Sequence, residues 1–176
     1  VQLSEQDLEC LQTEVCSGGD PSEAFKFWRD KGLVTQECKP YDIEELNKNK
    51  CVTECVNTEI NYIEDKHFAE KVYKVSNISD EIKAEIVKNG PIQAGFTVFE
   101  DFSSDYKSGI YVHTHGNIVG RHSVRIIGYG VEDGLDYWLA ANSWGTNWGE
   151  SGFFRIKSYQ GGIEFENYLI SGLPKN

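Results

Sequence analysis

Apolar positions recur along this chain with two different periods, and the change of period divides it. Residues 3–11 (Leu-Ser-Glu-Gln-Asp-Leu-Glu-Cys-Leu) space their apolar positions as a helical turn does. Ser4 stands where an N-cap belongs, and Asp7 follows three residues later as a capping-box acid. Ala24, Phe25, Phe27 and Trp28 give Ser22 to Lys31 an apolar face, and Gly32 closes that helix. Residues 35–66 are polar without sustained periodicity and read as loop. From about residue 67 the texture changes to strands: Val72 to Val75, Ile92 to Val98, Ser123 to Tyr129, Tyr137 to Ala141 and Phe153 to Lys157. Asp80 to Asn89 reads as a helix with Ile82, Ile86 and Val87 on one face, stopped by Gly90-Pro91. Turns at Glu132-Asp-Gly134 and Gly145 to Gly149 separate the later strands. The pattern predicts an α+β chain, with a small helical part over 1–64 and a β-rich part over 65–176.

Composition narrows the classes. The 176 residues are 39% hydrophobic and 12% aromatic, enough for a real core in one domain or two small ones. No apolar stretch nears the roughly 20 residues of a membrane helix, so no membrane partner is expected. A formal charge of −11 argues against nucleic acid, which selects basic stripes. There is no Met and no signal segment, so a piece of a longer product is expected.

The five cysteines, Cys10, Cys16, Cys38, Cys51 and Cys55, all fall in the first third of the chain. Their closest pair, Cys51-Val-Thr-Glu-Cys55, fits neither a zinc knuckle nor a redox motif. Clustered cysteines in irregular chain read as disulfides formed in an oxidising compartment. Five is odd, so one is free or bonded outside the chain. His113-Thr-His115 shares a strand face but has no third ligand; it reads as a solvated pair, and no metal or other cofactor is expected. Asn77-Ile-Ser79 meets the rule for a glycan acceptor.

Three segments carry chemistry: Gly120-Arg-His122-Ser-Val-Arg-Ile-Ile-Gly128-Tyr-Gly130, Tyr137-Trp-Leu-Ala-Ala-Asn142-Ser-Trp144-Gly145 and Trp148-Gly149-Glu-Ser-Gly152-Phe-Phe. In order and composition they resemble the C-terminal half of papain-like cysteine peptidases of the cathepsin B type. Val1 to Leu8, Cys16-Ser-Gly-Gly19, Cys38-Lys-Pro-Tyr41, Lys88-Asn-Gly-Pro91 and Gly162-Ile-Glu-Phe-Glu166 resemble that family too. The resemblance implies a papain-like two-domain fold, with a helical domain remnant, a β-barrel-like domain and an active-site cleft between them. It implies His122 as acid/base, Asn142 as the residue orienting its ring, and Trp144 as cover for their hydrogen bond. Gly18 and Gly19 would offer backbone to an extended substrate, while Ser123 and Glu166 would line the pocket for the P2 side chain, Glu166 accepting Arg there. Cys38–Cys55 and Cys10–Cys51 are the pairs the family implies, leaving Cys16 for another chain.

The departures are as informative. The family's nucleophile lies in a Gln…Cys-Gly-Ser-Cys-Trp stretch, and this sequence has none. The expectation is therefore the heavy chain of a two-chain enzyme, inactive alone, tethered through Cys16 to a light chain bearing the nucleophile. Peptide and protein substrates and protein inhibitors of such peptidases are the other expected partners, in an acidic lysosome-like vesicle or outside the cell. Between Cys38 and Cys51 the segment Lys39 to Lys50 is short and lacks His, which predicts an endopeptidase with little dipeptidyl carboxypeptidase activity. Arg121 beside the acid/base disfavours an imidazolium unless it is paired or turned to solvent. That residue keeps a rival open: an inactive homologue serving as a structural or binding protein.

Overall fold

The computed structural model describes residues 1–11, 18–46, 48 and 50–175. Two compact units emerge: Val1–Val72 with Gly172–Asn176, and Tyr73–Ser171.

The first unit is held by charge and sulfur more than by apolar packing. It opens with a 3-10 turn, Gln6–Cys10. Its N-cap is Glu5, one residue later than expected and without a side-chain cap, yet Ser4 Oγ accepts the Asp7 N–H at 3.2 Å while donating to the Lys39 carbonyl at 2.6 Å. The burial differs from the expected amphipathic turn. Ser4, Gln6, Asp7 and Glu9 are buried, whereas Leu8 and Leu11 are only half-buried. The reason lies far along the chain: Lys39 and Lys66 bring their ammonium groups inside. Lys39 Nζ donates to Glu9 at 2.6 Å, to Asp7 at 3.4 Å and to the Val52 carbonyl at 2.7 Å. Lys66 Nζ donates to Asp7 at 2.5 Å and to the Gly32 carbonyl at 3.1 Å, and the Tyr62 hydroxyl donates to Asp7 at 2.7 Å. Two ammonium groups thus meet two carboxylates, which makes burying the charge affordable.

Helix α1 (Pro21–Lys31) starts at Asp20, whose side chain accepts the Ser22 N–H at 2.8 Å, and ends at Gly32, whose φ of 73° suits glycine. The stretch read as plain loop contains a four-residue helix, α2 (Ile43–Leu46), started by Asp42 accepting the Glu44 N–H. Cys38 and Tyr62 of this stretch join Val34 in a small apolar cluster. Disulfides join Cys10 to Cys51 and Cys38 to Cys55.

The second unit is aromatic and apolar. The chain's seven-stranded sheet runs in the order β1-β7-β2-β4-β5-β6-β3, with β2 to β6 wholly inside this unit and β1 and β7 only partly. The strands are β1 (Ala69–Lys74), β2 (Ile92–Phe99), β3 (Ile110–Tyr111), β4 (Ile118–Glu132), β5 (Leu135–Ala141), β6 (Phe153–Lys157) and β7 (Leu169–Pro174). Helix α3 (Ser79–Asn89) lies between β1 and β2, and a π-helical turn, Asp101–Asp105, follows β2. β3 has two residues and β7 contains Ser171 and Gly172, so neither carries the alternation that betrays a strand. β4 is longer than its apolar signal, because both its ends are exposed and polar-permissive. Phe96, Phe102, Trp138, Phe154 and Phe165 are fully buried, with Ile126 and Ile156, in one continuous core. Edge-on ring contacts such as Phe96–Phe102 at 5.3 Å fill it.

Candidate active site

Strand β4 carries His122 opposite Phe96 of β2. Val124 and Ile126 follow on the same face as His122 and are buried, which anchors that face against the core. Asn142 comes directly after β5, on the neighbouring strand. His122 Nε2 lies 2.8 Å from Asn142 Oδ1.

The identity of the amide atom follows from its second neighbour. The Ser143 backbone N–H reaches the same Asn142 atom at 2.8 Å, and a backbone N–H can only donate. That atom is therefore the oxygen, and it accepts from both. His122 Nε2 must carry a hydrogen, so in the neutral ring the lone pair sits on Nδ1, which takes no hydrogen bond among the described residues. The arrangement holds an imidazole with its basic nitrogen turned away from the amide.

Trp144 stacks on His122, with centroids 4.8 Å apart and planes 25° from parallel. Trp148 meets Trp144 edge-on at 5.0 Å, and Phe102 lies 5.7 Å from it. The indole is thus propped from behind although it is 38% exposed. Sequence reading missed Trp148 and Phe102 as buttresses. The aromatic spacing of Trp144 and Trp148 is the signal that could have found one of them.

The other expected site residues have separate settings. Ser123 is exposed and its Oγ accepts from Gln93 Nε2 at 3.3 Å. Gly95, its partner on β2, leaves the space between Gln93 and Tyr168 free of a side chain. Glu166 is buried, and its Oε1 accepts the indole N–H of Trp138 and the backbone N–H of Tyr159, each at 2.7 Å. No described residue donates to its Oε2. Gly18 and Gly19 are exposed in the first unit, Gly18 with φ 83°. Cys16 lies outside the described residues.

Arg121 is both paired and half in solvent: its Nη1 lies 3.4 Å from Glu164 Oε2, and its guanidinium sits 4.2 Å over the Tyr168 ring. Two restraints therefore hold its charge on the face of β4 opposite His122. Glu164 is a partner that reading the sequence alone did not supply.

His113 is not the solvated residue expected. It is half-buried, its ring stacked 3.7 Å from that of Phe99, with Nδ1 3.1 Å from both oxygens of Asp101. Asp101 also accepts from Tyr111 OH at 2.6 Å and from the N–H groups of Thr114 and His115. Burial works to raise the Asp101 carboxyl's pKa, but these donors outweigh it and hold it well below the usual carboxylate range. The turn at 112–117 is therefore wrapped around a buried anion. Among the described residues no three His, Cys, Asp or Glu side chains converge as metal ligands.

Comparison with known proteins adds lineage to this geometry. The family model described as papain family cysteine protease matches residues 1–171. A gut-specific cysteine proteinase of Caenorhabditis elegans is 42% identical over 91% of this chain and 53% of its own length. The cathepsin B-like cysteine proteinase 3 of the same animal is 41% identical over 97% of this chain and 51% of its own length. Among solved structures, procathepsin B S9 from Trypanosoma congolense superposes with a TM-score of 0.89 at 30% identity, over 99% of this chain and 61% of that one. The chain thus spans about half the length of the relatives it matches.

Proposed function

Because the chain belongs to the papain family of cysteine proteases, we propose that it is the acid–base-bearing heavy chain of a cathepsin-B-like endopeptidase. The observation that carries the reading is the Asn142–His122 hydrogen bond, which leaves Nδ1 of the ring as the nitrogen available to a thiol. No cysteine here stands in a Cys-Gly-Ser-Cys-Trp setting, so the nucleophile is assigned to a light chain, joined through Cys16. Division into a helical part over 1–64 and a β-rich part over 65–176 belongs to the same reading.

The chemistry runs in two halves. His122 Nδ1 takes the thiol proton, giving a thiolate and an imidazolium, and the thiolate attacks the peptide carbonyl. The imidazolium then hands its proton to the departing amine, and water hydrolyses the thioester with His122 again as base. Asn142 suits the orienting task because its oxygen accepts the imidazolium's other N–H without fixing a full negative charge beside it. Trp144 keeps water from competing for that bond. Arg121 opposes the imidazolium, but its contacts with Glu164 and Tyr168 reduce that penalty.

Substrate handling follows from the same residues. Gly18 and Gly19 offer main-chain groups to an extended peptide. Ser123 and Glu166 belong to the P2 pocket, where Oε2 of Glu166 is the oxygen left for an Arg side chain. The short Lys39 to Lys50 segment without His supports endopeptidase cleavage with little release of C-terminal dipeptides. Two disulfides fit passage through an oxidising compartment, toward an acidic vesicle or the exterior. Protein inhibitors of papain-like peptidases are further partners.

The test is hydrolysis of internally quenched peptides by the assembled two-chain protein and its His122→Ala variant. The reading expects a fall of about 10²–10⁴-fold in kcat/KM for the variant. Equal rates would refute it. The rival, an inactive homologue that binds rather than cleaves, is favoured by Arg121 beside His122, and a light chain with Ser or Gly at the nucleophile position would establish it.

A further inference from the structure

One motif in the sequence is not absorbed by the proteolytic reading. Asn77-Ile78-Ser79 is the single Asn-x-Ser/Thr triplet among the 176 residues, and its middle residue is not proline. In the fold it occupies the bend between β1 and α3, with Ser79 opening the helix. Asn77 is exposed and Ile78 is 55% exposed. The bend is secured through the backbone: the Tyr159 hydroxyl donates to the Asn77 carbonyl at 2.8 Å, and Ser76 Oγ accepts the Ile78 N–H at 3.2 Å. Among the described residues the Asn77 carboxamide takes part in no hydrogen bond, so nothing in the fold requires its amide to stay unmodified.

Space and compartment point the same way. Beside the bend lies an open groove of about 400 Å³, lined by Ser79 and Tyr159 on the side of Asn77 and by Lys83, Asp136 and Lys157 beyond. Asn77 itself is exposed, so a bulky polar substituent on it has solvent to extend into. Gly134 and Leu135, at the turn between β4 and β5, also border this groove. They stand twelve or more residues along the chain from His122, so the substituent sits at the far end of β4 from that ring. The two disulfides independently mark an oxidising compartment, and that is where asparagine-linked sugars are added.

We propose that Asn77 is an N-glycosylation site. In the transfer, Asn77 Nδ2 forms a bond to C1 of the first sugar of a lipid-pyrophosphate-linked oligosaccharide. The bond from that carbon to the pyrophosphate oxygen breaks, the lipid pyrophosphate leaves, and Nδ2 gives up one proton to the transferase's base. No oxidant or reductant is involved. The proposal is independent of whether the protein cleaves peptides.

The test is peptide mass spectrometry of the protein secreted from a eukaryotic cell, with a known glycoprotein secreted alongside. Treatment with an amidase that releases N-linked glycans in heavy-oxygen water should convert Asn77 to heavy-labelled Asp. Asn77→Gln and Ser79→Ala should each abolish the mass of the glycan, and Ser79→Thr, which keeps the hydroxyl and the fold, should retain it. An unmodified Asn77 peptide from a preparation whose control glycoprotein is occupied would overturn the proposal. So would a glycan mass persisting on the peptide that spans position 77 in Asn77→Gln.

Discussion

The two units of this chain solve the same problem with different materials. In Val1–Val72 the interior is a charge network, Asp7 and Glu9 against Lys39 and Lys66, with two disulfides and an apolar cluster of three buried residues around it. In Tyr73–Ser171 the interior is a run of aromatic rings and branched aliphatics between strands, and the buried acids serve local tasks. A long sheet can bury enough apolar surface to cover the entropy of ordering its backbone. A short, irregular segment cannot, so it relies on cross-links and on charges brought together from distant positions. The difference teaches where each unit is fragile: the first fails when one partner is lost, the second when volume is lost.

The largest effects should come from cutting each material at its centre. Asp7→Ala leaves two buried ammonium groups short of an anion and should cost about 3–5 kcal/mol, read by denaturant unfolding. Phe96→Ala opens a cavity at the heart of the second core, also costing about 3–5 kcal/mol. Hydrogen exchange should localise the loss to the first unit in one variant and to the second in the other. Matched loss of protection in both units from either variant would break the comparison. Replacing Cys38 and Cys55 together by Ser, across a sequence separation of 17, should cost the first unit about 3 kcal/mol.

Acid should act through the network. Burial works to raise the Asp7 carboxyl's pKa, but Lys66, Tyr62 and Lys39 outweigh it and hold the group below its ordinary value. Its contribution is therefore fully present above the unfolded carboxylate value of about 4 and is lost as pH falls through the folded one. Asp101 adds the same sign in the second unit. The first unit of Asp7→Asn, weaker at neutral pH, should lose less further stability below pH about 4, and an acid unfolding profile parallel to wild type would count against the network.

Smaller effects sharpen the picture around the site. Glu166→Ala strands the Trp138 indole N–H and should cost about 1–3 kcal/mol, whereas Glu166→Gln keeps an acceptor and should cost less. If Glu166 serves the proposed P2 pocket, the pair of variants separates a lost charge there from a loosened fold, since only the former changes the ratio of Arg to Phe substrates in both. Glu164→Gln removes an exposed partner of Arg121 and should change stability by about 0–1 kcal/mol.

Legibility in the sequence followed the same division. The second unit was readable because Ile92 to Val98 alternates as a half-buried strand does, Tyr137 to Ala141 is a short continuous apolar run bounded by turns, and Gly90-Pro91 stops α3 where it ends. β3 and β7 escaped, being too short or too rich in small residues to alternate. The first unit was harder. Its interior is polar, so Asp7 reads as a capping acid, and nothing in the polar stretch 35–66 marks Lys39 and Lys66 for burial until the fold joins them. His113 illustrates the same limit: its partner Asp101 is twelve residues away, and nothing local announces that the carboxylate is buried. At the site, His122, Asn142 and Trp144 were legible as a motif, while Trp148 and Glu164 acquired meaning only from ring contacts and an ion pair in three dimensions.

The central claim is that this chain supplies the acid–base half of a peptidase whose nucleophile lies in another segment. It is tested most directly by trapping that nucleophile. The purified assembly is treated with a thiol-selective alkylating agent at limiting dose, and intact mass is measured with and without reduction. The account predicts one alkylated cysteine in a small second chain, in a Cys-Gly-Ser-Cys-Trp peptide, freed from this chain by reduction at Cys16. Selective labelling of Cys10, Cys16, Cys38, Cys51 or Cys55, or a single unreactive species in both conditions, would contradict it.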